Sequence, residues 1–101
     1  MGEIVLVPPR ERHWTSCERF LIDRTIADLR ARGFKASYYE WLTANEVWCS
    51  FRLGHRNVIA DLGRIGRAYR LEWSGNGATL RTHDLAYALK MMEAKWPCHV
   101  P

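Results

Sequence analysis

The stretch FKASYYEWLTANEVWCSFRL, residues 34–53, carries the pattern that decides the fold. Apart from Glu40, apolar side chains recur at every second position on both sides of the break at Thr43-Ala44-Asn45. A period of two is typical of strands with one buried face, because successive side chains point to opposite sides of a sheet. We therefore predict a β-hairpin. Its core face carries Phe34, Ala36, Tyr38, Leu42, Val47, Cys49, Phe51 and Leu53.

The opposite face of this hairpin is rich in aromatic residues. Tyr39, Trp41 and Trp48 fall on that side, and Arg52 follows Trp48 there. One exposed aromatic residue needs no explanation, whereas three near one another favour a binding surface. Trp, Tyr and Arg are also the residues that dominate interface hot spots. The alternative is structural, with the N-terminal segment covering these side chains.

A second pair of strands is predicted after the hairpin, over residues 57–62 and 67–73. The intervening GRIG, residues 63–66, has two glycines that allow a turn or bulge. SGNG at residues 74–77 is the strongest turn signal in the chain, and residues 78–81 are a candidate for one additional brief edge strand.

Two amphipathic helices flank the predicted strands. The first begins with the capping box Thr15-Ser16-Cys17-Glu18 and runs to about Arg32, with Gly33 placed for the left-handed C-terminal conformation. Thr82 is expected to cap the second helix, with Asp84 in its first turn and Pro97 at its end. Its apolar stripe consists of Leu85, Leu89, Met92 and Trp96.

These elements predict one α+β domain over residues 1–101, with an antiparallel sheet of four to five strands packed by two amphipathic helices. Residues 3–7 are apolar and β-branched before Pro8-Pro9, so a short strand is expected there. The element order is then roughly β-α-β-β-β-β-α.

Composition indicates the class of protein and its expected location in the cell. The chain has 101 residues, 48% of them hydrophobic, and its longest apolar run is far short of the roughly 20 residues that a membrane helix needs. No basic segment precedes a long apolar core at the N-terminus, so no secretory signal is expected. We expect a cytoplasmic protein that does not bind membranes.

Nothing in the sequence indicates catalysis. The three cysteines have no spacing typical of disulfide frameworks or zinc sites, and Cys17 and Cys49 are expected to be small buried residues. Cys98-His99 supplies two adjacent ligands, which do not make a metal site. No common catalytic or nucleotide-binding motif occurs. We therefore expect no enzyme activity, no metal and no cofactor.

Arginine dominates the cationic residues of the chain. The net charge is +4, and arginines concentrate in two predicted turns, His55-Arg56 and residues 64–67. Arginine forks match phosphates and carboxylates equally well. Arg56, Arg64, Arg67 and Arg70 are the candidates for contacts to nucleic acid or to an acidic partner, and the alternative is that these are only solvated surface charges.

Two classes of function follow. In the first, the chain is a small non-catalytic module that binds a larger protein or nucleoprotein complex through Tyr39, Trp41, Trp48 and Arg52. A phage-type accessory or inhibitor protein, of the anti-defence or anti-CRISPR kind, would fit this size and lack of motifs. In the second, the turn arginines bind nucleic acid directly and the aromatics stack on bases. A homodimer through the aromatic face is a further alternative.

Overall fold

A computed structural model describes residues 13–55, 57–75 and 77–99. Its strands form an antiparallel sheet in which each strand pairs with the strand that follows it in the chain. The expected α+β fold is confirmed. The elements are α1 (Ser16–Ala31), β1 (Ala36–Leu42), β2 (Val47–Leu53), β3 (Asn57–Ile65), β4 (Ala68–Trp73), β5 (Thr79–Thr82) and α2 (Leu85–His99). The strand predicted over residues 3–7 lies outside the described residues.

The start of α1 confirms the predicted capping box. Thr15 Oγ1 accepts from the Glu18 amide at 3.1 Å, and Glu18 Oε1 accepts from the Thr15 amide at 2.8 Å. Both bonds satisfy backbone donors that the first helical turn leaves without partners. At the other end, Gly33 has a φ of 94°, the left-handed conformation that glycine adopts without steric cost.

The second helix differs from the prediction at both ends. Asp84, rather than Thr82, caps α2, because its Oδ1 accepts from the Tyr87 amide at 3.2 Å. Pro97 does not end α2, which continues to His99. Pro97 has no N–H to donate to the Glu93 carbonyl, and Arg32 Nη1 donates to that oxygen instead, at 3.1 Å.

The connection between β3 and β4 is tighter than predicted. Gly63 and Arg64 belong to the β3 ladder, and the turn consists of Gly66 and Arg67 alone. Gly66 has a φ of 62°, as the first central residue of a type II′ hairpin turn requires. The expected four-residue turn over 63–66 is therefore wrong.

Both helices pack on one face of the sheet. The buried cluster there combines Ile22, Ile26 and Leu29 of α1 with the predicted stripe of α2 and with alternate strand residues. Those strand residues include Ala36, Val47, Cys49, Phe51, Leu62 and Leu71. None of the described helices has the length and apolarity to cross a membrane.

Two residues expected in the core lie outside it. Leu42 is 49% exposed, since it forms the last pair of edge strand β1 at a corner of the sheet. Cys17 is exposed, because it does not lie on the buried side of α1, which carries Glu18, Ile22 and Ile26.

Candidate functional site

The candidate site lies on the sheet face opposite the two helices, which we call the helix-free face. Strand register places one row of residues straight across it, because directly opposite residues of antiparallel strands share a face. This row is Trp41, Trp48, Gly63, Arg70 and Arg81. The neighbouring row is Tyr39, Ser50, Asp61, Glu72 and Thr79.

Two stacked tryptophans occupy the β1–β2 end of the helix-free face. The rings of Trp41 and Trp48 are 5.3 Å apart and inclined by 10°. Trp48 also lies against Gly63, where an added Cβ would come within 2.8 Å of the indole. Its Nε1 donates to Glu46 Oε1 at 3.0 Å. Trp48 lies on the predicted side of the sheet but is only 7% exposed, so little of its ring is accessible to a partner.

A short chain of hydrogen bonds holds Trp41 in place. Trp41 Nε1 donates to Ser50 Oγ at 2.8 Å, and Ser50 Oγ donates to Asp61 Oδ1 at 2.6 Å. Ser50 is only 2% exposed. Buried polar groups that are fully paired make a surface rigid, because any rearrangement would leave a donor or acceptor without its partner.

Tyr39 and Arg52 form the accessible part of this aromatic end. The Arg52 guanidinium carbon lies 4.7 Å from the centre of the Tyr39 ring, which is a cation–π contact. Tyr39 is 42% exposed. Arg52 Nε is buried and has no hydrogen-bond partner among the described residues. The four residues predicted for partner binding therefore do lie together, with Tyr39 the most accessible of them.

Arginines occupy the β4–β5 end of the helix-free face. Arg70 and Arg81 are direct cross-strand partners and line a pocket of about 280 Å³, the arginine pocket, together with Ile65, Ala68 and Thr79. Arg70 Nε is 2.9 Å from Glu72 Oε1. In the described parts of the chain, Arg81 forms no ion pair.

Arg64 lies on the other face of the sheet, away from this pocket. Its Nε is 3.1 Å from Glu18 Oε2, and its Nη2 donates to the His13 carbonyl. Tyr69 donates to the same Glu18 oxygen at 2.7 Å. Burial, reinforced by the negative charge of Glu18, raises the pKa of Tyr69 to about 12. Arg64 and Arg70 therefore lie on opposite faces of the sheet, and Arg64 links the sheet to helix α1 through Glu18.

The remaining predicted contact residues fall in different places. Arg67 is exposed in the β3–β4 turn, next to the arginine pocket in sequence, and its carbonyl lies 3.1 Å from His83 Nδ1. Arg56 lies outside the described residues. Sequence reasoning missed Arg81 and Thr79. Their alternate positions in β5 put both side chains on the helix-free face. The sequence indicates this only once the pairing of β5 with β4 is known.

The thiols and histidines give no metal centre where the chain is described, since no group of three or more His, Cys, Asp or Glu side chains converges there. Burial raises the pKa of the Cys49 thiol above its ordinary value, aided by nearby carboxylates. A buried thiol of this kind is held in the unreactive protonated form.

No protein-family model, no curated protein and no solved structure matches the chain. A functional proposal therefore depends on the contacts, burial and charges of the helix-free face.

Proposed function

We propose that the chain is a non-catalytic protein-binding module that docks on a larger protein through its helix-free face. The observation that carries this proposal is the arrangement of that face. A rigid aromatic end with Tyr39 accessible adjoins a basic end where Arg81 has no ion pair among the described residues. Aromatic and arginine side chains on one surface are the usual anchors of protein interfaces.

Rigidity of the aromatic end supports docking. Trp41 is held by Ser50 and by its stack on Trp48, so its ring is already in a defined orientation. Tyr39 already makes its cation–π contact with Arg52 in the free chain. Side chains ordered before association lose less conformational entropy on binding, which raises affinity for a given contact area.

The acidic residues on the helix-free face favour a protein over nucleic acid. Asp61 and Glu72 are direct cross-strand partners between the aromatic and basic ends. A phosphate backbone that ran from Arg81 to Arg52 would pass over both carboxylates, and like-charge contacts weaken binding. A protein surface can match alternating charge, so direct nucleic-acid binding remains our second candidate only.

We further propose the biological class that the sequence suggests, a phage-type accessory or inhibitor protein of the anti-defence or anti-CRISPR kind. Such a protein blocks a nucleic-acid-handling host complex by occupying one of its surfaces. Occupation needs a preformed docking face and no catalytic centre. The Trp41–Trp48 stack and the Tyr39–Arg52 contact support such a preformed docking face.

Site-specific crosslinking tests the docking face. Tyr39 is replaced by a photoreactive phenylalanine in the full chain, and the matched control carries it at Tyr87, which is 46% exposed on α2. We expect position 39 to crosslink to one defined protein in cells that express the chain, and position 87 not to do so. With that protein purified, Tyr39→Ala should raise the Kd roughly tenfold or more, while Tyr87→Ala leaves it unchanged.

Three results would overturn the proposal. They are no protein adduct at position 39, equal adducts at both positions, or an unchanged Kd for Tyr39→Ala. Crosslinking of position 39 to RNA or DNA would establish the nucleic-acid alternative in its place.

A further inference from the structure

We propose that the arginine pocket binds a carboxylate group, supplied by an acidic side chain of the partner protein. This inference rests on the proposed function, because it names what the basic end of the helix-free face recognises. The pocket lies between β3, β4 and β5, and its walls are Ile65, Ala68, Arg70, Thr79 and Arg81.

The first argument is the pairing of two like charges. Arg70 and Arg81 face each other directly across β4 and β5, and like charges in directly opposite positions destabilise a sheet. Glu72 relieves Arg70, with 2.9 Å between the paired atoms. No described carboxylate does the same for Arg81. An anion in the pocket would supply the missing partner.

The second argument selects a carboxylate over a phosphate. Arg70, Arg81 and Glu72 together carry one net positive charge, which a single carboxylate neutralises. A phosphate dianion would exceed this charge and would meet Glu72, which already occupies Arg70 Nε. Like charges held at short range disfavour such a complex.

The third argument concerns the other walls of the pocket. Thr79 offers a hydroxyl donor in the same pocket, and hydrogen bonds to a charged acceptor are stronger than neutral ones. Ile65 and Ala68 present apolar surface. A glutamate side chain matches both features, because its methylene groups can contact the apolar wall while its carboxylate reaches the arginines.

An NMR titration of the full chain tests the pocket without any partner. The ligands are N-acetyl-glutamate amide, its neutral analogue N-acetyl-glutamine amide, and inorganic phosphate, each at low ionic strength. We expect saturable shifts of the Ala68, Thr79 and Arg81 amides with the glutamate compound alone. Arg81→Gln should weaken this binding roughly tenfold. Arg24→Gln, an exposed substitution on α1, is the matched control and should leave it unchanged.

The possible outcomes distinguish failure of the pocket from failure of the proposed function. Equal shifts with the glutamine analogue, or unchanged affinity in a folded Arg81→Gln variant, overturn the pocket. Tighter binding of phosphate overturns the selection of carboxylate. Binding of the glutamate compound without a protein adduct at position 39 leaves the pocket standing and removes the proposed function. A partner that binds wild type and Arg81→Gln equally overturns the pocket and leaves the proposed function standing.

Discussion

The two faces of this sheet are built by different physical means. The helix face is buried by close apolar packing, with Phe51, Leu62 and Leu71 almost completely inaccessible. The helix-free face is held by stacked tryptophans and by hydrogen bonds through Ser50 to Asp61. One sheet therefore separates the source of most of its stability from the surface proposed for binding.

This separation explains how a chain of 101 residues can carry an aromatic surface without depending on it for folding. Hydrophobic burial scales with the apolar area removed from water, and here that area lies between the sheet and both helices. Residues on the helix-free face can therefore serve binding without weakening this core. The consequence can be tested by substituting one residue on each face.

The largest effect is expected on the helix face. Phe51→Ala removes a fully buried ring and leaves a cavity, so the free energy of unfolding should fall by about 3–5 kcal/mol. Tyr39→Ala on the helix-free face should cost about 1 kcal/mol or less, since it removes an accessible ring and one cation–π contact. Urea denaturation measures both. Similar losses for the two variants would contradict the separation of roles.

A smaller effect is expected from overpacking the helix-free face. In Gly63→Ala the new methyl group would lie 2.8 Å from the Trp48 indole, and the ring or the strand must move. We expect a loss of about 1–3 kcal/mol and a weaker near-UV circular dichroism signal from the Trp41–Trp48 stack. Gly75→Ala is the control, because nothing lies within 4 Å of its added Cβ. Unchanged stability and spectrum in Gly63→Ala would show that Trp48 is not seated on Gly63.

Much of the helix face was predictable because its signals are local. The Thr15–Glu18 capping box, the α2 stripe and the placing of Val47, Cys49 and Phe51 on one face of β2 each depend on residues close in sequence. Local hydrogen bonds and periodic burial leave a pattern in the sequence itself. The ends of α2 were less predictable, because Arg32, a residue of another element, compensates for the N–H that Pro97 lacks.

The helix-free face could be predicted only in part, because its decisive contacts join different strands. Tyr39, Trp41, Trp48 and Arg52 share it as their alternation predicts. The burial of Trp48 depends on Gly63, whose glycine is as typical of a turn as of a close contact within a sheet. For the same reason, the sequence pointed to Arg64 as a contact residue and missed Arg81. Only the pairing of the strands places Arg64 on the face that carries Glu18 and Arg81 directly opposite Arg70.

The smallest effect concerns a polar contact at the edge of the helix face. Burial, and then the bond to Glu18, raises the pKa of Tyr69 to about 12 from its ordinary value of 10.0. The folded state therefore keeps this proton longer than the unfolded chain, and the associated stability is complete below about pH 10 and lost as the pH rises to about 12. Tyr69→Phe lacks this group, so we expect it to be less stable than wild type by about 1 kcal/mol at pH 8, with the difference shrinking above pH 10. Urea denaturation of both proteins between pH 8 and 11.5 measures the difference, and the absorbance of ionised tyrosine, wild type minus variant, locates the midpoint. Because Tyr38 is present in both proteins, its own raised pKa cancels in this comparison. A stability difference that stays constant across this range would show that the Tyr69–Glu18 contact does not couple the helix to the sheet.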